Sequence, residues 1–168
     1  MNNVSFLKIN GNTIDDIIDL SVEESQKHLI ANNAEWLAEA SFNDDSVSYG
    51  IYLDDKPAGL ISLIDPRLLD KFDDHFQKDH LYVWRVMIDH RFQGKGLGNQ
   101  AINFSKRYAS IIGLQGVSLT TMDKEEGNAL HIYQKLGFTP TGRRLDDEIE
   151  LIFSVKSQPG RPYSVPPG

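Results

Sequence analysis

Arg91-Phe92-Gln93-Gly94-Lys95-Gly96-Leu97-Gly98 is the segment of this chain with the densest chemistry. Three alternate glycines let a backbone turn tightly and approach a ligand closely. The segment lies between an apolar run, Leu81–Ile88, and a stretch with helical periodicity. The N–H groups that open such a helix are free to meet an anion, with the positive end of the dipole behind them. Arg91 and Lys95 add positive charge. The pattern reads as a phosphate or pyrophosphate site. A P-loop is ruled out because Lys95 is followed by Gly96, where Ser or Thr is required. A Rossmann fingerprint fits poorly, because the spacing is GxGxG and it falls past mid-chain.

Two groups of acids come next: Asp70, Asp73, Asp74 and Asp79, then Asp146, Asp147 and Glu148. Such acids could bind a polycation, although a charge run is more often only a solvated face. No His, Asp or Glu spacing suggests a metal-ligand set, so no metal is expected. The chain has no cysteine, which rules out disulfides and a Cys nucleophile and suits a reducing compartment.

The elements that must position these residues follow from periodicity. Val4–Ile9 reads as a strand, and Asn12 or Thr13 caps a helix carrying Ile14, Ile17, Ile18 and Val22 on one face. A second helix lies within Glu24–Glu39. Tyr49–Leu53 and Ala58–Ile64 form a hairpin about Asp54-Asp55-Lys56-Pro57. Asp65–His80 reads as a loop. Leu81–Ile88 is a central strand buried on both faces, with Arg85 its one charge. The helix after the glycines runs to about Ile112, with Leu97, Ala101, Phe104, Tyr108 and Ile111 as its buried face and Gly113 as its stop. Val117–Thr121 is a strand. Asn128–Leu136 is a short helix with Ala129, Ile132, Tyr133 and Leu136 on one face, closed by Gly137. Phe138–Thr141 and Glu148–Val155 complete the set. Alternating strands and helices make the fold mixed α/β, with parallel and antiparallel pairs.

The 168 residues suit one domain, placed at 1–156. Residues 157–168 hold four prolines and two glycines and read as a loose tail. A net charge of −7 disfavours nucleic acid as a partner and suits a cationic one, or simply solubility. The apolar runs are too short to span a bilayer and no signal peptide is visible, so a cytoplasmic protein without a membrane partner is expected.

On these residues the chain resembles the GNAT superfamily of N-acetyltransferases. The resemblance covers roughly Leu81–Phe153. It rests on the strand Val83–Ile88, the RFQGKGLG loop with its helix, and Ala129-Leu130-His131-Ile132-Tyr133-Gln134-Lys135-Leu136-Gly137-Phe138, which is close to the family's A-x-x-x-Y-x-K-x-G-F ending. It implies a central mixed, mostly antiparallel sheet of about seven strands with helices on both faces. It also implies acetyl-CoA as co-substrate. The pyrophosphate would sit on the N–H groups of Gly94–Asn99, and the pantetheine would pair with backbone at Val86, Met87 and Ile88, in a gap between that strand and Val117–Thr121. Arg91, Gln93, Gly94, Lys95, Gly96, Leu97, Gly98 and Asn99 are thus the expected binding residues.

Tyr133 matches the family's general acid, which would protonate the leaving thiolate; its other role would be core packing. Many relatives place an Asn seven residues before that Tyr, contacting the pantetheine. Here that position is Glu126, and Asn128 either takes up the role or caps the helix. No base is identified: Asp123, Glu125 and Glu126 lie before the last helix, and a water relay is an alternative. Tyr82 and Trp84 either line the acceptor channel or fill the core. A looser similarity to bacterial spermine/spermidine acetyltransferases suggests a small polyamine-like amine as acceptor. Alternatives are a protein N-terminus or lysine, or an acyl-CoA binder without turnover. A homodimer is expected by analogy.

Overall fold

The computed structural model of the chain describes residues 3–22, 32–41, 45–124 and 129–155. The elements run β1 (Val4–Lys8), α1 (Ile14–Ile18), α2 (Asn33–Ala40), β2 (Ser46–Leu53), β3 (Lys56–Ile64), β4 (His80–Ile88), α3 (Leu97–Ile111), β5 (Gly116–Met122), α4 (Leu130–Lys135), β6 (Thr139–Leu145) and β7 (Glu148–Ser154). The strands form a single seven-stranded sheet in the order β1-β2-β3-β4-β5-β7-β6. Every pair is antiparallel except β4 with β5. The expected mixed, mostly antiparallel sheet is therefore present.

Both faces of the sheet are covered. On one face α3 and α4 pack over Ile61, Leu63, Leu81, Val117, Leu119 and Leu151. On the other, Ile17, Leu20, Leu60 and Met87 form a smaller core with Trp36 and Leu37. Burying apolar surface on both sides explains why β3 and β4 are near-continuous apolar runs.

Several expectations are extended or corrected. The β2–β3 hairpin turns on Asp54 and Asp55, with φ of 49° and 67°. Two left-handed residues match the right-handed twist of the strands, so β3 can start at Lys56. α1 stops at Ile18, and Val22 lies beyond it. The second helix is described from Asn33, capped by the Asn32 side chain accepting from Glu35 N at 2.9 Å; its expected earlier part falls outside the described residues. In α3 the buried residues are Leu97, Ala101, Ile102, Ser105 and Ala109. Ile111 is 84% exposed, because Ala109 and Ile112 occupy the inward positions of the last turn. β6 continues past Thr141 to Leu145 through an irregularity between Pro140 and Arg144, where Gly142 has φ of 87°. No helix among the described residues is long and apolar enough to cross a membrane.

Candidate active site

The site begins where two strands part. β4 pairs with β5 only at His80↔Gly116, Leu81↔Val117 and Tyr82↔Ser118. Beyond Tyr82 the strands diverge and leave a gap. On its other edge β4 pairs Ser62 with Arg85 but Leu63 with Val83, so Trp84 is an extra, bulged residue. The bulge resets the alternation of side chains. Leu81 and Val83 face α3, and so do Val86 and Ile88 after it. Met87 turns instead to Ile17 and Leu60. Arg85 turns the same way, donating to Asn33 Oδ1 at 2.8 Å and lying 5.3 Å from the Trp36 ring. Burial pushes its guanidinium down to about 10, so it remains charged at neutral pH.

The backbone alternates as well. Asp89 N–H donates to Ala58 O at 2.8 Å, so residue 89 faces β3. Met87 therefore also faces β3, and Val86 and Ile88 turn their N–H and C=O groups to the gap. Gln93 Nε2 meets Ile88 O there at 3.2 Å.

The glycine loop is anchored at its start by Asp89, which is 1% exposed. Its carboxylate accepts from Ser21 N at 3.0 Å, Arg91 N at 3.0 Å and Arg91 Nε at 2.8 Å. Burial alone would raise its pKa, but these donors and the guanidinium hold it below the usual carboxylate value. A 3₁₀ turn at His90–Phe92 follows. Gly94 and Gly96 have φ of 78° and 79°, a conformation that glycine alone adopts without strain, and Gly96 caps α3. A Cβ at Gly94, Gly96 or Gly98 would meet only open space. The N–H groups of Leu97, Gly98 and Asn99 precede the first carbonyl they could reach within the helix, and Gln100 N makes the first α3 bond back, to Gly96 O.

These parts enclose a cleft of about 440 Å³. Of the expected residues, Val86, Met87, Ile88, Gln93, Gly94, Gly96, Leu97, Gly98, Asn99 and Tyr133 line it. Arg91 and Lys95 do not; Arg91 is committed to Asp89. Asn128, Glu125 and Glu126 fall outside the described residues. Val22, Phe92 and Ile102 also line the cleft and were not among the binding residues expected from sequence. Ile102 sits four residues after Gly98, on the same helical face, which is the signal that could have found it. Ala129, Ile132 and Leu136, expected as the apolar face of α4, form the wall around Tyr133.

Tyr133 packs its ring 6.1 Å from Phe138. Burial, and then the Glu148 carboxylate, raise its pKa above the usual phenol value. The hydroxyl thus keeps its proton through neutral pH. Asp123 pairs with Arg144, Nη2 to Oδ2 at 2.8 Å, which lowers its pKa and ties up a carboxylate that sequence offered as a base.

On the sheet face away from α3, Tyr82 OH lies 3.1 Å from Thr120 Oγ1 at the foot of the gap. Burial raises its pKa, and Glu148 and Glu150 raise it further, against the Thr120 hydrogen bond that lowers it. Glu150 is buried and paired with Arg143 at 2.7 Å. Among the described residues no three His, Cys, Asp or Glu side chains gather so as to hold a metal ion.

Comparison with known proteins gives this geometry a family. The acetyltransferase (GNAT) family matches residues 14–138. Streptothricin acetyltransferase of Escherichia coli is 26% identical over 141 residues, which cover 84% of this chain and 71% of that protein. Spermidine N(1)-acetyltransferase of Escherichia coli K12 is 34% identical over 65 residues, 38% of this chain and 34% of that one. The crystal structure of the PaiA N-acetyltransferase from Thermoplasma acidophilum, in complex with coenzyme A, is similar with a TM-score of 0.65 at 14% identity, over 90% of this chain and 99% of that one. Identity that low speaks for the fold alone. With three quarters of its length inside the family match and the parted strands and glycine loop in place, the chain belongs to the GNAT family of acetyltransferases.

Proposed function

We propose that this protein transfers acetyl from acetyl-CoA to a primary amine of a small, polycationic molecule. The observation that carries the reading is the single cleft joining the unpaired edge of β4, the glycine loop and Tyr133. Acetyl-CoA supplies an acetyl group already activated as a thioester. The residues present fit it: Cβ positions open into the cleft at Gly94, Gly96 and Gly98, and the N–H groups of Leu97, Gly98 and Asn99 are poised for a pyrophosphate. Val86 and Ile88 offer backbone groups to an extended pantetheine. Their N–H groups are also donors for a carbonyl oxygen on which charge develops, a role that Met87 N–H, turned to β3, cannot share. Tyr133 holds the proton that a leaving thiolate needs.

The acceptor class rests on charge placement. Arg143 donates to the carbonyls of Asp74 and His75, and Arg144 to that of Asp147. Arg143 thereby ties the Asp73–Asp74 segment to β6, the strand that leads into the Asp146-Asp147-Glu148 turn, and Asp73, Asp74 and Asp147 are exposed. Spermidine and streptothricin are the acceptors named for two of the relatives. The catalytic unit is assigned to residues 1–156.

The test is thiol release from acetyl-CoA with spermidine, spermine, short diamines, aminoglycosides, amino acids and a lysine peptide. Release that depends on the polyamines is expected. Release with the peptide alone would move the acceptor to protein, and failure to bind acetyl-CoA in calorimetry would overturn the reading of the cleft.

A further inference from the structure

Glu150 lies on β7, is 2% exposed, and takes no part in the steps assigned above. Its Oε1 accepts from Gln77 Nε2 at 2.7 Å, Thr141 Oγ1 at 2.9 Å and Arg143 Nε at 3.2 Å. Its Oε2 accepts from Arg143 Nη2 at 2.7 Å. These donors come from the loop before β4 and from the irregular part of β6. Burial alone would raise its pKa, but Arg143, Gln77 and Thr141 hold it below the usual carboxylate value. The carboxylate is therefore saturated and is not a free base.

The guanidinium reaches further. Arg143 Nη1 donates to Asp74 O, and Nη2 to His75 O at 3.1 Å. The rings of His75 and Phe76 then stand edge-on to Tyr82, at 5.9 and 5.0 Å. Tyr82 belongs to the last β4–β5 pair before the strands part. A continuous chain of contacts thus runs from the buried carboxylate, across residues 74–76, to the foot of the gap.

The middle of this loop is not held by apolar packing. Leu68 and Phe72 are 63% and 56% exposed. Its first part is tied by Arg67, which pairs with Asp65 at 2.8 Å and donates to Ile112 O at 3.1 Å. Its second part is tied by Arg143 and Gln77, by the His75 and Phe76 rings on Tyr82, and at its end by Gln115 N donating to Asp79 O at 2.8 Å. A buried ion pair adds little net stability over an apolar packing of the same volume. What this one does is fix one arrangement of three chain segments.

We infer that Glu150 is a positioning residue which, through Arg143 and Gln77, holds residues 73–77 as a fixed wall beside Tyr82 and so governs affinity for the cationic amine. It touches neither acceptor nor acetyl-CoA. The inference rests on the acetyltransferase reading proposed above.

Two variants test it. Glu150→Gln removes the charge. Arg143→Lys is the milder change, because it keeps a cation beside Glu150 but loses the fork that reaches Asp74 and His75. Two readouts are needed. Tryptic cleavage after Lys71 and Lys78, followed by mass spectrometry, reports the loop without any turnover. Steady-state kinetics with spermidine, or with whichever panel amine the wild type prefers, reports the acceptor side. Losing charge-assisted hydrogen bonds should speed loop cleavage about tenfold and raise the acceptor KM about tenfold. The acetyl-CoA KM should stay within about twofold, since none of residues 73–77, Arg143 or Glu150 lines that cleft. A merely structural role would move both KM values together, and that result would overturn the inference. Unchanged loop cleavage in a folded Arg143→Lys protein would also overturn it. If the wild type acetylated no amine, the acetyltransferase reading and the inference would fall together; the cleavage result would then show whether the strap itself had failed.

Discussion

Gly96 and Gly98 stand two residues apart at the head of α3, but only Gly96 is left-handed, with φ of 79°. An added Cβ meets no atom at either position. The two should therefore respond differently to alanine. Gly96→Ala forces a left-handed alanine, costing roughly 1–2 kcal/mol of stability. Gly98→Ala is unstrained, and its methyl projects into the cleft where a pyrophosphate would lie. Thermal melts should show a loss for Gly96→Ala and little change or a gain for Gly98→Ala. Calorimetry with acetyl-CoA should show weaker binding for both. Unaltered affinity in Gly98→Ala would remove the first turn of α3 from the binding site.

Tyr133 and Glu148 give a second expectation. Tyr133→Phe keeps the ring packing and loses the proton. Turnover should fall about 10²-fold or more while acetyl-CoA affinity holds. The wild-type rate should not fall through loss of this proton until the pH exceeds the ordinary phenol value near 10. A neighbouring carboxylate raises the phenol pKa, so Glu148→Gln should move that basic limb downward. A pH–rate profile of the three proteins checks both statements, and an unchanged rate in Tyr133→Phe would take it out of the mechanism.

Asp89 ties the start of the glycine loop to Ser21 and Arg91. Asp89→Asn turns one face of an acceptor into a donor beside two backbone N–H groups, at a cost of about 1–3 kcal/mol. Its folded-state pKa is lowered, so its contribution is present above the unfolded value near 4 and is lost as pH falls through the folded one. Acid titration of stability should accordingly show a smaller loss below pH 4 in the variant than in the wild type. Equal acid sensitivity would mean that the anchor is unimportant.

Tyr52 predicts the alkaline side. It is 5% exposed and donates to Asp16 Oδ2 at 3.0 Å. Burial, then the hydrogen bond and the charge of Asp16, push its pKa up to about 12. A raised folded pKa means stability is intact below the unfolded value near 10 and declines as pH rises toward 12, by at most roughly 3 kcal/mol. Tyr52→Phe should lose that decline, which denaturant melts at pH 9 to 12 would register. The same slope in both proteins would assign alkaline unfolding to other groups.

The sequence alone determined what depends on neighbours along the chain. Short apolar and β-branched runs bounded by turn residues located all seven strands, and the residue types of RFQGKGLG marked a glycine-rich turn between a strand and a helix. Gly94 and Gly96 are legible because a tight turn into a helix needs only local backbone freedom. The aromatic and apolar face of α4 is legible for the same reason: its spacing is its own. The last turn of α3 escaped this logic, since both Ile111 and Ile112 suit the apolar spacing and only the packed structure puts Ile112 inward.

Tertiary structure decided everything that depends on register. Trp84 is a bulge only because Leu63 and Ser62 are matched to Val83 and Arg85, and that one extra residue turns Val86 and Ile88 toward α3 and their backbone toward the gap. Nothing in the letters of β4 marks where it leaves β5. The partners of the charged side chains were equally hidden. Arg91 turns back to Asp89 instead of pointing to the cleft, and Arg143 finds Glu150 seven residues on and Asp74 sixty-nine residues back. Ion pairing is set by which side chains the sheet brings within a few ångströms, and the sheet order β4-β5-β7-β6 is a property of the packed whole.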